Sequence, residues 1–132
     1  MQAATTQPTI HAPQDLTGLA IAELAAVAAA DKKAIDLRVL DLHGTSSVTD
    51  YFVICSGNTD RQVKAIHDAV HERLKHELRL LPRRVEGLPE ARWVLMDYFD
   101  VIVHVFVPEV REFYALERLW SEAGRLTLPP AP

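Results

Sequence analysis

His67 and His71 stand four residues apart, a spacing that puts two imidazoles on one face of a helix and within reach of one metal ion. The run around them, HDAVHE, lacks the glutamate that follows the first histidine in zinc hydrolases, and no third ligand lies at a motif-like distance. The pair is therefore expected on a helix flank. Cys55 and His104 could in principle form a thiol–imidazole nucleophile, but no local signature surrounds the cysteine. A small buried hydrophobe is the expected role for Cys55, and a hydrogen-bonded core position for His104 between Ile102 and Phe106. Gly57-Asn58-Thr59 could turn backbone N–H groups toward an anion; without the glycines and lysine of a phosphate loop, Thr59 is expected to cap a helix instead. Asp97 and Asp100 could hold metal ions for nucleotidyl transfer, but they flank a turn and no Gly-Ser phosphate motif adjoins them. Neither a metal nor any other cofactor is expected.

The elements that must position these residues follow from periodicity. Leu16 to about Lys33 is Ala-rich with Leu19, Leu24, Val27 and Ala28 at helical spacing, and Asp15 or Thr17 can cap its start. Asp36–Leu42 and Tyr51–Cys55 read as two strands joined by the turn residues of His43–Thr49. Thr59 with Gln62 three residues on is a capping box, and Val63, Ile66, Val70, Leu74 and Leu78 then trace one stripe of a helix from about Asp60 to Leu78. Pro82–Glu86 is expected as a short edge strand. Arg92–Met96 and Asp100–Val107 are expected as strands around a tight turn at Asp97–Phe99. The second of these is apolar on both faces, so it should be central and covered on both sides. Glu109–Glu122 is expected as the last helix, with Phe113, Leu116, Leu119 and Trp120 inward.

The whole is expected as an α/β single domain over 15–125, a mixed β-sheet of about five strands flanked by helices. Residues 1–14 are expected as a disordered N-terminal tail and 126–132 as a Pro-rich C-terminal tail. The net charge of −4 argues against a protein that grips nucleic acid mainly through phosphate neutralisation, so no direct DNA binding is expected. One cysteine asks for no oxidising compartment, no run approaches a membrane span, and Met1–Gln14 carries no Lys, Arg or apolar run. A cytoplasmic location away from membranes is the expectation.

Both tryptophans and three of the four phenylalanines fall within Glu86–Trp120. In a chain without a reaction motif, that concentration fits a protein-binding hairpin, since interface anchors favour Trp, Tyr and Arg. Trp93 is the expected anchor, with Arg92, Val94, Met96, Asp97, Tyr98, Phe99 and Asp100 as rim and flank.

Two stretches carry a family resemblance: VLDLHGTSSVTDYFVICSGNTDRQVKAI (Val39–Ile66) and EGLPEARWVLMDYFDVIVHVFVPEVREFYALERLW (Glu86–Trp120). With blocks in the same order over about Leu19–Glu122, the chain resembles the ribosomal silencing factor family, also called Iojap-related. The resemblance implies a nucleotidyltransferase-like core without catalytic motif. It also implies binding to the large ribosomal subunit through ribosomal protein L-fourteen, which sterically blocks joining with the small subunit and represses translation under nutrient limitation. A homodimer when free is implied too, in keeping with an apolar patch left uncovered on the aromatic hairpin. The alternative is a nucleotidyltransferase-like enzyme using Asp97 and Asp100. One departure is visible: Phe99 stands where the family often has Gly.

Overall fold

The structure, a computed structural model, describes residues 17–44, 49–116 and 124–125. In chain order the elements are α1 (Gly18–Asp31), β1 (Ile35–Asp41), β2 (Tyr51–Ser56), α2 (Asp60–Leu78), β3 (Arg84–Glu86), β4 (Trp93–Asp97), β5 (Val101–Phe106), α3 (Pro108–Tyr114) and β6 (Gly124–Arg125). The strands form one mixed sheet in the order β3-β4-β5-β2-β1-β6, with β2 and β5 parallel and every other pair antiparallel. The expected α/β architecture of about five strands is present, and the two-residue β6 extends it at the β1 edge.

All six residues of β2 and all six of β5 are buried. Side chains alternate across a strand, so full burial requires cover on both faces of the sheet. On one face Val53, Cys55, Val94, Met96, Val101, Val103 and Val105 meet α1 and α2. On the other, Leu40, Leu42, Phe52, Ile54, Ile102 and Phe106 form a second apolar cluster with Trp93, Leu95, Val110 and Leu116 at its margin. The central position of β5 is as expected.

The two covering helices approach the sheet differently. α2 buries the expected stripe of Val63, Ile66, Val70 and Leu74, and also His67. α1 buries Ile21 and five alanines, whereas Leu19 and Leu24 are only partly buried. Small side chains let this helix lie close to its neighbours, so the contact runs along alanines and not along the leucines that periodicity pointed to. Thr17 caps α1, its hydroxyl accepting from the Ala20 N–H at 3.1 Å.

The last helix is shorter than expected. α3 ends at Tyr114, with Ala115 in the left-handed region at φ 48, and residues 117–122 of the expected helix lie outside the described residues, as do both expected tails. Its inward residue is Arg111, not Phe113. The Arg111 guanidinium donates to Ser56 Oγ at 3.0 Å and lies 3.6 Å from the Asp36 carboxylate, while Phe113 is 80% exposed. Buried Arg111 and Ser56, with the exposed Asp36 carboxylate at their margin, tie α3 to β1 and β2, while Val110 and Leu116 supply the apolar contact with the sheet.

Gly87 sits between β3 and β4 at φ +89, and a Cβ there would lie 2.0 Å from the Trp93 carbonyl oxygen. Both the conformation and the space require glycine. Gly87→Ala is expected to destabilise the protein by more than about 1 kcal/mol in a urea melt; an unchanged midpoint would mean that this edge of the sheet is not held as described.

Candidate functional site

Each chemical candidate resolves into a structural contact. Cys55 pairs in register with Val105 on the helix-covered face, whereas His104 pairs with Ile54 on the opposite face. The sheet itself separates thiol from imidazole. Burial also pushes the Cys55 thiol up to about 12, far from a thiolate at neutral pH. His67 is held through Nδ1 by Asp68 at 2.9 Å, and among the described residues no three potential ligands gather to hold a metal ion. At the start of α2, the Gln62 N–H donates to Thr59 Oγ1 at 3.1 Å, and the Asn58 N–H donates to Gln62 Oε1 at 2.7 Å. Two of the N–H groups that could have met an anion are thus taken up by the cap.

Asp97 and Asp100 do not form a metal pair. The Asp97 carboxylate is buried and accepts from the Phe99 N–H at 2.9 Å and from Arg83 Nε at 3.0 Å, with Arg84 Nε at 3.7 Å. Asp100 is exposed, and its backbone holds the sheet end: its carbonyl accepts from the Asp50 and Tyr51 N–H groups, each at 3.0 Å. The Asp97 side chain folds back on the turn that follows it, the usual role of aspartate there. Phe99 occupies that turn at φ 74, with the Arg83 guanidinium 4.6 Å over its ring.

Of the exposed large apolar residues described, Phe99, Phe113 and Tyr114 are aromatic, and the last two adjoin Trp93 or each other. Trp93 lies on the second face of the sheet, its ring 4.9 Å from Phe106 and 4.8 Å from Tyr114. The Trp93 Nε1–H donates to His104 Nδ1 at 3.1 Å, and His104 in turn packs edge-on against Phe52 at 4.7 Å. Because Nδ1 accepts, the neutral ring carries its proton on Nε2. Desolvation lowers the His104 pKa to about 4, so the acceptor persists at neutral pH. Tyr114 is half exposed and meets the outlying Phe113 at 5.0 Å. The indole is thus fixed from within and continues outward into two exposed rings.

Of the eight residues expected at an interface, Val94 and Met96 are fully buried on the helix-covered face, and Asp97 and Tyr98 are buried at the turn. These four have no surface to offer a partner. Alternation along β4 turns Val94 and Met96 inward, and burial pushes the Tyr98 phenol pKa up. Arg92, Phe99 and Asp100 are exposed and Trp93 is half-buried, but they divide between the two ends of β4. Arg92 joins α3 through Glu109 at 3.5 Å beside Trp93, whereas Phe99 and Asp100 lie at the far turn. Sequence reasoning missed Tyr114 and Phe113 as surface residues and His104 as the partner of Trp93. The last was available from the spacing of two antiparallel strands about a short turn; the first two required knowing that Arg111 faces inward.

Comparison with known proteins gives a consistent picture. A family model described as "Ribosomal silencing factor during starvation" matches residues 15–131. The chain is 47% identical over 103 residues to "Ribosomal silencing factor RsfS" of Bacillus subtilis, covering 78% of this chain and 86% of that protein. It is 34% identical over 92 residues to the mouse protein "Mitochondrial assembly of ribosomal large subunit protein 1", covering 68% of this chain and 40% of that one. A crystal structure of a Chromobacterium violaceum protein superposes with TM-score 0.78 at 32% identity, covering 88% of this chain and 95% of that one.

The Trp93–His104 contact has a pH signature. The folded-state pKa of His104, about 4, lies below its ordinary 6.5, so its contribution is full above 6.5 and is lost as pH falls toward 4. Stability in urea melts should fall by about 1.4 kcal/mol per pH unit across that window. His43, whose pKa is raised by the hydrogen bond to Asp41 at 2.6 Å, works in the opposite sense. The His104 part is therefore read from wild type against His104→Phe, whose stability should be flatter with pH; parallel curves would count against a neutral buried His104.

Proposed function

Because this chain belongs to the ribosomal silencing factor family, we propose that it binds the large ribosomal subunit through ribosomal protein L-fourteen and sterically blocks joining with the small subunit. Translation is thereby repressed when nutrients are short, in the cytoplasm and without direct DNA binding. The match of the family model over residues 15–131 carries this reading. The name of the mouse relative, which refers to the ribosomal large subunit, points to the same particle.

The geometry supports a protein-binding surface at the Trp93 end of β4. A half-buried indole held by a hydrogen bond and two ring contacts has few rotamers left to lose on binding. Tyr114 and Phe113 extend the apolar surface outward, and Arg92 supplies a charged rim. Phe99 and Asp100, exposed at the other end of the strand, stand apart from this protein-binding surface. The same exposed rings would let two free copies associate weakly as a homodimer. A nucleotidyl-transfer reading through Asp97 and Asp100 gains no support, since Arg83 and the Phe99 N–H engage the Asp97 carboxylate.

Purified protein is expected to co-sediment with free large subunits and to lower the yield of joined ribosomes when both subunits are present; unchanged joining at saturating protein would sink the proposal. Tyr114→Ala removes an exposed ring, so it should leave stability within about 0.5 kcal/mol. It should nonetheless weaken subunit binding, and Trp93→Ala should weaken it by about 2 kcal/mol or more. Normal binding by both folded variants would place the contact elsewhere. Light scattering at high micromolar concentration is expected to show dimer in exchange with monomer.

A further inference from the structure

The chain's net charge of −4 is unevenly spread. Residues 75–84 hold Lys75, Arg79, Arg83 and Arg84 against the single acid Glu77, leaving ten basic and seventeen acidic residues for the rest of the chain. Glu77 does not offset this group, since it lies 3.4 Å from Arg73 on the same helix.

The fold places this segment along one margin. Arg79 ends α2 in the left-handed region at φ 54, and the Leu80 N–H bonds to the Leu74 carbonyl at 3.2 Å, turning the chain toward β3. β3 is the outermost strand on that side and pairs with β4 alone. Arg83 and Arg84 therefore stand at the sheet edge, their side chains 50% and 58% exposed.

Both arginines are held from one side. Arg83 donates to Asp97 through Nε, and Arg84 turns Nε toward Glu86 at 3.4 Å and Asp97 at 3.7 Å. Neither donates a hydrogen bond through its Nη atoms among the described residues. An arginine anchored through Nε keeps a planar pair of donors, the geometry that takes a phosphate in bidentate fashion. Beside them lie Phe99, 41% exposed, and Leu81, 55% exposed. Positive charge interleaved with exposed apolar and aromatic groups suits a nucleic-acid strand, whose backbone takes the cations and whose bases or sugars take the rest.

We propose that the edge formed by Arg79, Arg83, Arg84 and Phe99 is an RNA-backbone contact, which engages ribosomal RNA while the Trp93 end of the same hairpin engages protein. This rests on the large-subunit reading above and adds a second contact of different chemistry. The two ends of β4 are four residues apart, about 14 Å at 3.4 Å per residue, so one rigid hairpin can bridge a protein and its neighbouring RNA.

The test is the salt dependence of binding to purified large subunits, measured for wild type, Arg79→Gln, Arg84→Gln and the double variant from about 50 to about 200 mM KCl. Arg79 and Arg84 are exposed and lie apart from the aromatic surface. Each lost phosphate contact should flatten the log–log slope by about 0.7–0.9 and weaken binding by roughly eightfold near 0.1 M salt. Equal slopes for wild type and double variant would overturn the proposal, as would a uniform weakening at every salt concentration, the mark of a protein contact. A photoreactive side chain at Leu81 should crosslink to ribosomal RNA; crosslinks to ribosomal protein alone would also overturn it. A wild type that fails to bind large subunits at any salt would remove the functional reading along with the inference, whereas intact binding with equal slopes removes the inference alone.

Discussion

The parallel pair of β2 and β5 is the constraint from which the rest follows. Both strands are buried over their whole length, and a strand buried on both sides leaves its neighbours no choice but to supply two covering layers. α1 and α2 provide one, through alanines that admit a close helix and a stripe of Val, Ile and Leu. The other is a thinner aromatic layer in which Phe52, Phe106, His104 and Trp93 touch one another. The aromatic layer carries the half-buried Trp93 and the exposed Tyr114 and Phe113 at its margin.

His104 shows how a polar atom is accommodated on a face that is otherwise apolar. Its Nδ1 is satisfied by the indole of Trp93, while Nε2 is buried with no hydrogen-bond partner among the described residues. The arrangement exchanges some stability for orientation. An indole whose only N–H is already committed presents to the surface only its ring faces and edge. Arg111 is the corresponding case at the same end of the sheet, where Ser56, level with Phe106 and Trp93, and Asp36 receive a buried guanidinium.

Most of the fold was legible in the sequence because its signals are local: the capping box at Thr59, the apolar stripe of α2 and the doubly apolar run of β5 each fix an element by themselves. The family resemblance was legible for the same reason, as ordered blocks within those elements. What was not legible depended on three dimensions. Val94, Met96, Asp97 and Tyr98 share a hairpin with Trp93 but not a surface, since alternation told that they differ in face without telling which face is covered. The inward turn of Arg111 needed a partner 55 residues away at Ser56, and no spacing rule reaches that far. The nucleophile pair imagined for Cys55 and His104 failed on parity, a register property invisible until β2 and β5 are known to run parallel with Cys55 opposite Val105.

The turn after β4 joins these threads. A phenylalanine in the left-handed region costs about 1–2 kcal/mol relative to an unstrained conformation, and glycine would avoid the cost. The contacts that hold Phe99 include a hydrogen bond from its N–H to the buried Asp97 carboxylate and the Arg83 guanidinium over its ring. Asp97 in turn gathers Arg83 and Arg84, so one buried acid sets the turn, orients the ring and aims two cations along the sheet edge. Strain kept at an exposed turn when a simpler residue would relieve it points to the surface that the strained residue presents. In this chain that surface is the ring of Phe99 and the arginines around it, at the opposite end of the strand from Trp93, with the buried Val94, Met96 and Asp97 between the two.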